Sequence, residues 1–174
     1  MGFSQIQNQW PGIDVATTNY KGVIGVSNMG SGWPVTPWET AYNGGVQWDH
    51  HGDALPNGMF FRNSYRVRIQ FAHISDGLSN TLAVGEDIPE HNEHGAAFYS
   101  NGDYASCHAP LNYMPNPPTP AAWPQVMSFR SRHAGGAHFC AADGSVRFVH
   151  QTINRLTYME LCTRAGGEIA EMPQ

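Results

Sequence analysis

Apolar and polar positions alternate most cleanly at 65–71. Tyr65, Val67, Ile69 and Phe71 fall on one face, and Arg66, Arg68 and Gln70 on the other. That period of two predicts a half-buried strand. β-Branched residues between glycines in "NYKGVIGVS" (19–27) predict a second strand, and "TLAVGE" (81–86) a third. "SDGLSN" (75–80) reads as the turn before it. From 137 to 149, two apolar runs flank Asp143-Gly144. This predicts a hairpin with a two-residue type I′ loop, in which both central residues take positive φ. In that register Ala141 faces Val146 and Phe139 faces Phe148, all toward the core beside Val67, Ile69 and Phe71. His138, Cys140 and Arg147 point the other way. The last element is a short helix, with Thr157 and Glu160 as a capping box and Gly166 as the terminating glycine.

The segments between these elements are long. Residues 1–19 form an irregular lead, 28–58 a Gly/Trp/Pro-rich loop, and "YMPNPPTPAAWP" (113–124) an extended, exposed proline loop. Nineteen glycines and twelve prolines favour short strands over long helices. The expectation is one α+β domain over 1–174, rich in antiparallel sheet, with long Gly/Pro-rich loops and a short C-terminal helix.

Charge narrows the partners. The net charge is −5 and Lys21 is the only lysine, so no basic stripe exists to bind nucleic acid. No apolar run is long enough to span a membrane, and no secretory leader is seen. Gly2-Phe3 resembles a prepilin cleavage point, but Gln7 stands where a glutamate is wanted. Three cysteines allow one disulfide and leave one thiol, and the absence of CxxC excludes a zinc ribbon. Cys140 is expected to pair with Cys162 or to pack under another layer. A reactive Cys140 beside His138 is the alternative.

Three stretches offer ligands. Asp49, His50, His51 and Asp53 in "WDHHGD" mix imidazole and carboxylate, a set suited to zinc. A solvated loop is the plainer reading, because adjacent residues on an extended chain point oppositely. Asp76, Ser79 and Asn80, with Glu86 one strand away, are oxygen donors suited to calcium. An Asx-turn explains the first three equally well. His91 and His94 in "EDIPEHNEH" share a metal only if that turn is helical. Trp33, Trp38 and Trp48 form either a carbohydrate platform or anchors for their loop.

His133 precedes Asp143-Gly144 by a fixed spacing, but a six-residue strand between them spans ~20 Å at ~3.3 Å per residue. The two are therefore read as structural: Asp143 and Gly144 as turn residues, His133 as a hydrogen-bonding residue. "SRHAGGAHFCAADGSVRF" resembles the signature of the prepilin-type, processing-associated H-x9-DG proteins, also catalogued as domain of unknown function 1559. "TNYKGVIG", "ISDGLSNTLAVGE" and "LCTRAGGEI" are similar to further segments of that family, in the same order. The usual N-terminal hydrophobic helix has no counterpart here. The resemblance implies a pseudopilin-like head, extracytoplasmic or at the cell surface, with pilin or secretion-system subunits as partners and a calcium ion as a reasonable resident.

Three functions follow as expectations. The first is a non-enzymatic structural domain of a surface or secretion system, stabilised by calcium. The second is a metal-dependent hydrolase that acts on a small ester or lactone, with zinc as the less favoured ion. The third is a carbohydrate-binding module.

Overall fold

The structure is a computed structural model and describes residues 3–5, 14–28, 33–43, 56–62, 67–98, 102–114, 119–168 and 170–172. A five-stranded sheet forms its centre. β3 (Tyr20–Gly25), β4 (Leu82–Glu86), β5 (Tyr104–Ser106), β6 (Gly136–Ala141) and β7 (Val146–His150) lie in the order β5-β3-β4-β6-β7. A separate two-stranded ribbon pairs β1 (Phe3–Gln5) with β2 (Asp14–Ala16). Short helices α1 (Pro37–Asn43), α2 (Trp123–Val126) and α3 (Arg155–Glu160) complete an α+β architecture. The sheet is mixed, because β3 pairs with β5 in parallel while its other pairings are antiparallel. The expected antiparallel pairing holds for three of the four neighbouring pairs, and the β3–β5 pair is the exception. The 78 residues between β3 and β5 leave room for the crossover that parallel pairing requires.

One face of the sheet is packed. Val23, Leu82, Phe129, Phe139 and Val149 bury against Tyr158, Met159 and Leu161 of the α3 region. Gly85 is fixed by close approach: a Cβ there would lie 2.3 Å from the Phe139 ring and 2.6 Å from that of Phe129. Those two rings meet edge to face at 5.0 Å, a favoured aromatic geometry. A disulfide, Cys107–Cys162, ties the β5 end to the end of α3, and Cys140 is the free cysteine. Of the two expectations for Cys140, pairing with Cys162 or packing under another layer, the first is corrected. Cys140 lies in mid-strand on β6 opposite Val84, whereas Cys107 and Cys162 share the core.

The hairpin forms, but its loop is one residue longer than predicted. Ala141 N–H donates to Ser145 O and Gly144 N–H to Ala141 O. Gly144 alone has positive φ, at 86°. This is a type I turn followed by a left-handed glycine, the three-residue hairpin loop. The extra residue moves the register by one, so Phe139 faces Arg147 and His138 faces Phe148. A one-residue slip exchanges the faces of a strand. Val146 and Phe148 are therefore exposed, while Phe139, Ala141 and Val149 are buried.

Two further expectations change. Residues 67–71 are not a strand; Phe71–His73 is a 3-10 turn, and Val67 and Phe71 are exposed while Ile69 packs beside Ile24 and Phe61. Local alternation found no partner strand among the described residues to bury against; Tyr65 and Arg66 lie outside them. The α3 cap is Asn154, whose Oδ1 accepts from Leu156 N–H and Thr157 N–H, one turn before the expected Thr157. A capping box does form at "TPWE", where Thr36 Oγ1 accepts from Glu39 N–H and Glu39 Oε2 from Thr36 N–H, and it opens α1 inside the expected 28–58 loop.

Candidate functional site

Glu86 closes β4, and the register that sets Gly85 opposite Phe139 brings it opposite His138. Tyr20 flanks it on β3, and Phe148 flanks His138 on β7, ring centroids 5.1 Å apart. Tyr20, Glu86, His138 and Phe148 thus form one row across the outer face of the sheet. A buried network anchors its middle. Next to Glu86, Asp87 lies 3.4 Å from the Lys21 ammonium and accepts a 2.7 Å hydrogen bond from Asn92. Arg130 N–H donates to Glu86 O.

The third member comes from the loop before β6. His133 N–H donates to Ser131 Oγ, and Ser131 N–H to Asn112 Oδ1. Gly135, with φ 80°, then turns the chain into the strand. His133 is thereby folded back over β4, with Nε2 3.2 Å from Glu86 Oε1. Glu86 Oε2 accepts His138 N–H at 2.7 Å and lies 3.6 Å from His138 Nδ1. The two imidazoles meet edge to face at 4.7 Å. One ligand atom from each of Glu86, His133 and His138 lies within 4.8 Å of the others. Beside them opens a pocket of about 240 Å³, whose walls include Tyr20, Glu86, Glu90, Arg130, Arg132 and His133.

The structure distributes the sequence candidates differently. Glu86 is at the far end of β4 from Ser79 and Asn80, a strand length of ~13 Å. Asp76 accepts Gly166 N–H and Gly167 N–H, one on each carboxylate oxygen, at 2.7 and 2.9 Å. Asn80 Oδ1 accepts Met172 N–H. Asp76 therefore pins the "TRAGGE" segment to the turn before β4. Gly166, read as a helix terminator, serves that anchor; α3 ends at Glu160. Asp143 accepts Ser145 N–H within its own loop, and hydrogen bonds from Ser145 first and Ser79 second hold its carboxyl below the usual range. His133 turns to Glu86 and Asp143 to its own turn, at opposite ends of β6.

His91 is the last residue of a 3-10 turn, Pro89–His91, His94 lies three residues beyond it, and His94 Nε2 faces Ala121 O at 3.4 Å. Burial holds the His94 imidazole below its ordinary value. Asp49, His50, His51, Asp53 and Trp48 lie outside the described residues. Trp33 packs edge to face on Tyr113 and under the Arg155 guanidinium, and Trp38 packs against the core. Both anchor their loop.

Sequence reasoning assigned Glu86 and His133 to separate roles and used His138 only to flank Cys140. The usable signal was alternation: Glu86 and Val84, like His138 and Cys140, are i and i+2 neighbours on strands that adjoin. A second missed pair is Glu39 and His108, hydrogen bonded in the core. His108 Nε2 faces Trp33 O at 3.2 Å.

These features define a small α+β protein whose mixed sheet carries a Glu-His-His cluster on its outer face. The chain belongs to the family described as protein of unknown function (DUF1559), which matches residues 13–156. That span includes Glu86, His133, His138 and Asp143. No curated protein and no solved structure matches the chain.

Proposed function

We propose that this protein is an extracytoplasmic, pseudopilin-like structural domain that works in a surface or secretion assembly. The observation that carries the reading is the Cys107–Cys162 disulfide. Disulfides persist in oxidising compartments and are rare in the cytosol. This one is buried within the core cluster, where it joins two segments rather than standing as an exposed redox pair. The family membership supports the same direction. Protease treatment of intact producing cells, with thiol labelling before and after reduction, tests it. Digestion from outside, one free thiol before reduction and three after are expected. A protected cytosolic protein with three free thiols would remove the reading.

A metal-dependent hydrolase acting on a small ester or lactone is the second reading. What favours it is the pocket beside His133 and Glu86. Turnover of an aryl ester or lactone that disappears in His133→Ala would move it ahead of the first.

A further inference from the structure

We infer that Glu86, His133 and His138 bind a divalent metal ion of the borderline class, zinc, on the outer face of the sheet. The proposal stands whichever of the two functional readings holds. Two imidazoles and one carboxylate are a donor set that zinc takes, whereas calcium takes oxygen donors. The three donor atoms already lie within 4.8 Å of one another. Tetrahedral zinc at ~2.0–2.1 Å bonds wants them ~3.3 Å apart. Small rotations of two exposed imidazoles, 53% and 43% accessible, close that gap.

An ordinary ion pair accounts for the arrangement less well. One imidazole suffices to pair a carboxylate, yet a second lies 4.7 Å from the first and approaches the same carboxylate from the adjoining strand. A shared cation uses both rings and the carboxylate at once. The carboxylate is also oriented in advance: Glu86 Oε2 is held by the His138 amide, leaving Oε1 toward His133. Such hydrogen bonds to a ligand typically accompany metal sites. Three protein donors leave a coordination position open on the solvent side.

Titration calorimetry of the full chain with zinc chloride, after chelator treatment, tests the site. One equivalent is expected to bind. His133→Ala, His138→Ala and Glu86→Gln should each weaken binding more than ~100-fold, beyond what partners outside the coordination sphere carry. The His50→Ala/His51→Ala double variant should bind as the parent does. Cobalt(II), followed by its visible absorption, gives an independent readout that should fail in the same three variants. His133 is exposed and His138 is half-buried with its ring toward solvent, so their variants keep the fold and carry the test even if Glu86→Gln does not. Absence of zinc binding, binding that survives the histidine variants, binding lost with His50 and His51, or calcium bound as tightly as zinc would each overturn the proposal.

Discussion

The ammonium of Lys21 lies 3.4 Å from the carboxylate of Asp87, and the two side chains are 1% and 0% exposed. Burial lowers the Lys21 pKa, and Asp87 works against that shift. Removing one partner strands the other charge without water, which typically costs ~3–5 kcal/mol. Lys21→Met should show that loss in denaturant unfolding. The Lys21→Met/Asp87→Leu double variant should recover only part of it, because the buried Arg130 guanidinium, which Asp87 also attracts, then loses that carboxylate. Equal destabilisation in both would exclude a charge-pairing role.

Glu39 and His108 form a second buried pair. Burial works to raise the Glu39 carboxyl, but hydrogen bonds from His108 and Thr36 outweigh it and hold it below its ordinary value. A carboxyl depressed in the folded state stabilises above its unfolded pKa, ~4.3, and loses that stabilisation as pH falls through the lower folded value. Glu39→Gln should therefore cost about 1.5–3 kcal/mol at pH 7, the range for hydrogen bonds to charged groups. The gap between parent and variant should narrow below pH 4. A gap independent of pH would show that the charge contributes nothing.

Cys107 and Cys162 are 55 residues apart. On the chain-entropy account a loop of that size contributes ~4 kcal/mol. Cys107→Ser should lower stability by that order, and reducing agent should do the same to the parent. Cys140→Ser should leave stability within ~0.5 kcal/mol, as expected of a half-buried position outside the core clusters. A larger loss at Cys140 would contradict the pairing.

Asp76 should behave as an anchor. Asp76→Ala removes the acceptor for Gly166 and Gly167 amides and should cost ~1–3 kcal/mol. Melting with calcium and with chelator separates this role from ion binding. No response in the parent fits the anchor; a calcium-dependent rise that Asp76→Ala abolishes would give the turn a cation.

Gly144 isolates backbone strain. Nothing lies within 4 Å of a Cβ built there, and φ is 86°. Gly144→Val should cost ~1–2 kcal/mol from the left-handed conformation alone, and Gly144→Asn less, since Asn tolerates that region. Equal stability of all three forms would remove the strain argument.

Local patterns were the legible part of the fold. "NYKGVIGVS" and "TLAVGE" are β3 and β4 to within a residue or two, because β-branched runs between glycines restrict the backbone by themselves. Asp143-Gly144 is a hairpin loop, and Gly144 needs its positive φ. What failed was register: Asp-Gly permits both a two-residue and a three-residue loop, and the choice between them decides which face Val146 and Phe148 occupy. "YRVRIQF" failed because alternation is a property of a segment, whereas a strand also needs a neighbour.

The sequence by itself determined the turn at Asp143-Gly144, the strand-forming character of β3, β4 and β6, the α+β class and the lack of a basic stripe. Each follows from residues adjacent in the chain or from their totals. The tertiary structure alone decided that Cys107 rather than Cys140 bonds Cys162, that Lys21 meets Asp87, and that Glu86 meets His133 and His138. Glu86 and His138 are brought together by the β4–β6 register, and His133 by the turn at Gly135. Such contacts depend on which strands become neighbours, and that is settled by the packing of the whole core around Phe129, Phe139 and Tyr158.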